Sequence, residues 1–167
     1  MAAELGDETK MIQMQHRSIH VTKPMAEDAK KLCQLMGMSV IQAPGEAEAF
    51  CSYLAKSGKA YATVSEDMDS LTFGSPILIR GMSTSKGSKN SANELIQIDL
   101  KKVLDALGLT HEQFVDLCIL CGCDYTNTIA GIGPVKALKY IKEYETIEKV
   151  LRQLEKEIDA SKDSGKK

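Results

Sequence analysis

The chain has 167 residues, 43% hydrophobic and 26% charged, with a formal net charge of −2. That length and balance fit about one globular domain with a core of its own and exclude a disordered or low-complexity polypeptide. No apolar run approaches the roughly 20 residues of a membrane-spanning helix, the acidic start lacks a signal-peptide stretch, and five cysteines, an odd number, read as free thiols of an intracellular protein.

From the amino end, Pro24 suits the first turn of a helix whose stripe is Ala29, Leu32, Cys33 and Met36, with Gly37 as its stop. Met38 to Gln42 then reads as a buried strand. A second helix, starting near Glu46, carries Ala47, Phe50, Cys51 and Leu54 on one face and ends at Gly58. Ala60 to Val64 reads as the next strand, which predicts a strand–helix–strand unit with a right-handed crossover. Ile77 to Arg80 and Leu95 to Ile98 are two further short strands. The polar run 83–91 between them has no apolar period, so a mobile loop is expected there, either a solvated hairpin or a DNA contact through Lys86 and Lys89.

Beyond this point the pattern turns helical. Leu100 to Leu107 stops at Gly108, and Thr110-His111-Glu112-Gln113 has the capping-box spacing that opens another helix, with His111 part of its polar start. Phe114, Leu117, Cys118 and Cys121 form the apolar stripe of that helix. Cys118 and Cys121 have a Cys-x-x-Cys spacing, but no second Cys or His pair follows to complete a zinc site, so both are expected in the core. Cys123, next to an acid, is the candidate for oxidation sensitivity. Gly131-Ile132-Gly133-Pro134 predicts a tight turn with positive backbone angles at the glycines and amides free to face a phosphate. Lys136, Lys139 and Lys142 recur every three residues after it, either as a DNA-facing stripe or as an ordinary solvated face. A last helix with Ile147, Val150, Leu151 and Leu154 on one face leads into a polar tail.

Five acids stand where these elements break off: Glu46 and Glu48, Asp67 and Asp69, and Asp124. Each taken singly reads as a helix cap or turn former. Taken together they have the chemistry of a site for hard divalent cations, which prefer oxygen ligands, and such clusters commonly serve phosphodiester hydrolysis. Asp67 and Asp69 follow an apolar strand, and open α/β sheets bind ligands at the carboxyl ends of their strands. Glu46 and Glu48 are two apart, so on a regular helix they diverge and would share a site only at an irregular first turn.

The runs Ala43-Pro44-Gly45-Glu46-Ala47-Glu48-Ala49, Ser65-Glu66-Asp67-Met68-Asp69-Ser70-Leu71-Thr72-Phe73-Gly74, Phe114 to Tyr125, and Ile129-Ala130-Gly131-Ile132-Gly133-Pro134 resemble, in order and spacing, the flap endonucleases of the XPG-type structure-specific 5′ nucleases. The resemblance covers residues 19–154. It implies a PIN-like α/β core with a parallel sheet at 19–110, a helix–two-turn–helix DNA-binding segment at 111–158, a flexible remnant of the arch region at 1–18 and a disordered tail at 159–167. It also implies that Glu46, Glu48, Asp67, Asp69 and Asp124 are the catalytic metal ligands, for two Mg²⁺ or Mn²⁺ ions in the complete site. Gly131, Gly133, Lys136 and Lys139 would contact DNA, and Thr128, Ile129 and Ile132 would hold a potassium ion.

The implied activity is cleavage of 5′ flaps or nicks in branched double-stranded DNA during replication and repair. The implied location is the nucleus, with the mitochondrion as the alternative. A sliding clamp would be a partner only if the full protein has a carboxyl-terminal clamp peptide. The family site also draws on two further aspartates and a basic arch from an amino-terminal region not found in these residues. The isolated chain is therefore expected to be incomplete and weakly active, and the alternatives are a DNA-binding or interaction module without turnover and a piece of a longer enzyme. Gly45, Ala130 and Val135 stand where the family commonly has a serine, a basic residue and a lysine, which predicts a weaker grip on DNA.

Overall fold

A computed structural model describes residues 20–82 and 95–164, with side chains up to residue 159. The expected remnant 1–18, the loop 83–91 with Lys86 and Lys89, and the last three residues lie outside the described residues. The chain divides into two compact units, 1–42 and 43–167.

In the first unit, helix α1 (Lys23–Leu35) has Thr22 at its N-cap, Pro24 in its opening turn and Gly37 at φ +79° just past its end. These are the expected local signals at the expected places. The stripe of α1 is not a core, however: none of its residues is buried, and Leu32 and Met36 are exposed. Met38 to Gln42 is not a strand, because strand backbone needs a neighbour for its ladder hydrogen bonds and no strand pairs with it among the described residues. The expected crossover unit therefore lacks its first strand.

The second unit holds a three-stranded sheet in the order β1 (Thr63–Val64), β2 (Ile77–Arg80), β3 (Ile96–Asp99). The β1–β2 pair is parallel and the β2–β3 pair antiparallel, so the sheet is mixed. Around it lie α2 (Ala47–Lys56), the single turn α3 (Asp69–Thr72), α4 (Leu100–Leu107) and α5 (His111–Cys121). Helices α6 (Pro134–Tyr144) and α7 (Ile147–Ser164) follow. The α/β class is as expected. Helix α7 is longer than expected and runs through Ser164, because nothing between 159 and 164 breaks a helix and Gly165 is the first residue that would.

Two apolar clusters form the core. Leu71, Leu78, Leu100 and Phe114 make one, with Cys118 against it, while Leu109, Leu117, Leu120, Ala137, Ile141 and Val150 make the other, with Cys121 against it. Helix α5 therefore serves both, which is why its apolar residues occupy more than the one stripe expected. Its start is fixed by a full capping box: Thr110 Oγ1 accepts the Gln113 amide, and the Gln113 side chain accepts the Thr110 amide. No helix among the described residues is long and apolar enough to cross a membrane.

Candidate metal and nucleic-acid site

Glu46 is the N-cap of α2, with extended backbone at φ −64°, ψ 133°, and Glu48 lies in the first helical turn. Extended backbone is ordinary for an N-cap, and it sets Glu46 just outside the helix that holds Glu48. Neither carboxylate is spent as an expected cap, since α2 has no side-chain cap hydrogen bond. Asp67 and Asp69 follow β1 in two nested turns: the Asp67 amide donates to Ser65 Oγ at 3.0 Å, and the Asp69 amide donates to Asp67 Oδ1 at 3.0 Å. One oxygen of Asp67 is therefore engaged in a local turn, while Asp69 begins α3, whose N-cap Met68 makes no side-chain cap hydrogen bond.

Asp124 is placed by the turn after α5. Gly122 there has φ +103°, and a Cβ on it would stand 2.4 Å from Thr128 Cγ2, so both backbone angle and space demand glycine. The two residues after Gly122 sit in a small loop closed by the Cys123–Thr126 bridge, with Cys123 Sγ 3.3 Å from Thr126 Oγ1.

The five acids meet electrostatically at Asp69. Partial burial pushes its carboxyl up from the ordinary value, and the fields of Asp67, Asp124, Glu46 and Glu48 each push it further. Tyr125, not singled out by the sequence, belongs to the same group: its hydroxyl is hydrogen-bonded to Glu46 and is pushed up to about 12, first by that bond and further by the nearby acids. Its position right after Asp124 was the only available signal.

Among the described residues, no three His, Cys, Asp or Glu side chains stand close enough together to grip one metal ion. Field and spacing thus give different pictures. The field reports neighbourhood, whereas the spacing reports direct chelation. Five carboxylates suit Mg²⁺ or Mn²⁺, and Mg²⁺ keeps several waters and takes only one or two carboxylates directly, so the donor chemistry fits although the side chains are spread.

A cavity of about 230 Å³ adjoins Asp69, with Phe73, Val115, Ile119, Cys123 and Tyr125 among its lining. Burial raises the Cys118 thiol to about 11 and also raises Cys121, in keeping with their place against the core. The Thr126 hydrogen bond lowers the thiol of Cys123.

In the second turn region only one glycine has a positive angle. Gly131 is at φ +80°, whereas Gly133 is the extended N-cap of α6 at φ −107°, where other residues also fit. The expectation of two left-handed glycines is corrected accordingly. Ile129 and Ile132 are half-buried against the second core cluster, and the Ile132 amide donates to the Ile129 carbonyl at 3.1 Å. Thr128 is exposed. Lys136, Lys139 and Lys142 are all exposed, and Lys136 Nζ donates to the Gly131 carbonyl at 3.0 Å, bracing the turn from the helix.

The XPG I-region family model matches residues 37–124. Flap endonuclease 1 of Brugia malayi is 55% identical over 153 residues, 92% of this chain and 40% of that protein. The chain spans about two-fifths of the length of the curated relatives it matches. Among solved structures, flap endonuclease-1 from Methanococcus jannaschii matches 89% of the chain and 45% of its own at 32% identity and a TM-score of 0.71. The catalytic core of Rad2 in complex with a DNA substrate matches 96% of the chain and 49% of its own at 25% identity and a TM-score of 0.73. With more than half its residues under that family model and its fold shared with these nucleases, the chain belongs to the XPG I-region family.

Proposed function

We propose that the chain is the internal part of a flap endonuclease, a metal-dependent phosphodiesterase that cleaves 5′ flaps of branched DNA in replication and repair, in the nucleus. The observation that carries this reading is the convergence of four acidic fields on Asp69 in a chain 55% identical to a flap endonuclease 1. Glu46, Glu48, Asp67, Asp69 and Asp124 are the residues that would hold Mg²⁺ or Mn²⁺, two ions in the complete site. Bound metal supplies an acidified water and a positive charge for the phosphate in its transition state. Asp67, tied to the Asp69 amide, keeps the second pair in a fixed turn, and Tyr125 orients Glu46.

Residues 19–110 act as the nuclease core and 111–158 as the DNA-binding segment. There the exposed Lys136 and Lys139 and the backbone at Gly131 and Gly133 meet the duplex, and Thr128, Ile129 and Ile132 are the candidate ligands of a potassium ion. A second reading, a DNA-binding module without turnover, is favoured by the spread of the carboxylates among the described residues.

A steady-state assay on a 5′-flap substrate with Mn²⁺ separates the two. The expected result is slow cleavage that disappears in Asp69→Ala, since misplacing reacting groups by about 1 Å costs about a hundredfold. Duplex binding with no Asp69-dependent cleavage would favour the second reading.

A further inference from the structure

The single turn α3 carries Asp69 at its start, yet four residues cannot hold a helix in place by themselves, because the first turn fixes several dihedrals for one hydrogen bond. Its position must come from its neighbours, and two adjacent carbonyls show how. Ser52 of α2, fully buried, shares its one hydroxyl proton between the Glu48 carbonyl at 2.7 Å and the Ser70 carbonyl at 3.1 Å. On the other flank His111, first residue of α5, places Nε2 3.2 Å from the Leu71 carbonyl. A carbonyl only accepts, so Nε2 carries the proton. The His111 ring also approaches Gly74, which is buried at φ +88° and whose amide donates to the same Leu71 carbonyl at 3.0 Å.

The flanking helices are the ones that carry the remaining acids. Helix α2 begins with Glu46 and Glu48, and α5 ends just before Asp124. Ser52 and His111 thus join three acid-bearing elements through the backbone of the shortest one. We propose that Ser52 and His111 are positioning residues that pin α3 from both flanks and hold Asp69 between the two helices that carry or precede the other acids. The inference rests on the metal-site reading only for its consequence in metal affinity, since the pinning itself is a property of the metal-free chain.

The test compares the unaltered chain with Ser52→Ala, His111→Leu and His111→Gln, whose amide nitrogen reaches about where Nε2 stands. Amide hydrogen exchange at Phe73 and Gly74 is read without metal, and Mn²⁺ affinity by calorimetry. Loss of one such hydrogen bond is worth about two- to tenfold in an equilibrium. Ser52→Ala and His111→Leu should each speed exchange at these amides and weaken Mn²⁺ binding by that factor, with the amides of α6 unchanged. His111→Gln should restore both to within about twofold. Exchange in His111→Leu equal to the unaltered chain, faster exchange with undiminished Mn²⁺ affinity, or a glutamine variant as impaired as the leucine one would each overturn the proposal. If the unaltered chain itself takes up no Mn²⁺, the metal reading falls, and the exchange comparison decides the pinning by itself.

Discussion

Gly122 and Asp124 show how closely single residues are constrained near the acids. At Gly122 a methyl group meets Thr128 Cγ2 at 2.4 Å on a backbone already at φ +103°. Gly122→Ala should therefore cost about 1–3 kcal/mol in urea unfolding, the usual range for a non-glycine residue held in a disfavoured conformation. Adding Thr128→Ser, which removes the clashing methyl but not the strained angle, should recover only part of that loss. Full recovery would mean that the angle is harmless, and no loss in the single variant would mean that the turn is differently built. None of this was legible in the sequence, where Gly122 is one small residue between a helix and an acid. The places of the acids at element ends were legible from residue type and pattern, while their role as metal ligands is the proposal. Tyr125 was not legible, since its bond to Glu46 joins residues far apart in the chain.

Among the elements, the locally encoded ends came out where their signals stand: Pro24 in the first turn of α1, Gly108 left-handed at φ +67° after α4, and the Thr110 box before α5. Each depends on a few neighbouring residues. Strand pairing depends on distant ones, so the antiparallel β3, the two-residue β1 and the non-strand backbone of 38–42 could not be read from alternation. The start of α7 is another long-range device: Asp116 of α5 accepts the Ile147 amide through Oδ2 at 2.9 Å, capping one helix from another. Thr110→Ala should cost about 1 kcal/mol, as loss of an N-cap usually does. Asp116→Ala should cost about 1–3 kcal/mol, since it leaves a part-buried donor unpaired. Equal urea midpoints for Asp116→Ala and the unaltered chain would contradict the cross-helix cap.

At the scale of the molecule, a chain of net charge −2 is proposed to bind a polyanion, so the distribution of charge must matter more than its sum. The acids gather about Asp69, while Lys136, Lys139 and Lys142 are exposed on α6. Replacing Lys136 and Lys139 by alanine should weaken duplex binding at any sequence and flatten the dependence of log affinity on log salt by roughly one unit per lost contact. An unchanged slope would return these lysines to an ordinary solvated face.

The central claim is that five carboxylates, mutually repulsive around a half-buried Asp69, form a site for divalent cations. Calorimetric titration of Mn²⁺ into the unaltered chain and into the double variant Asp67→Ala, Asp124→Ala tests it most directly. Saturable heat that the double variant loses is the predicted result, because removing two of the five donors removes both charge and ligands. The same heat from both proteins would contradict the account.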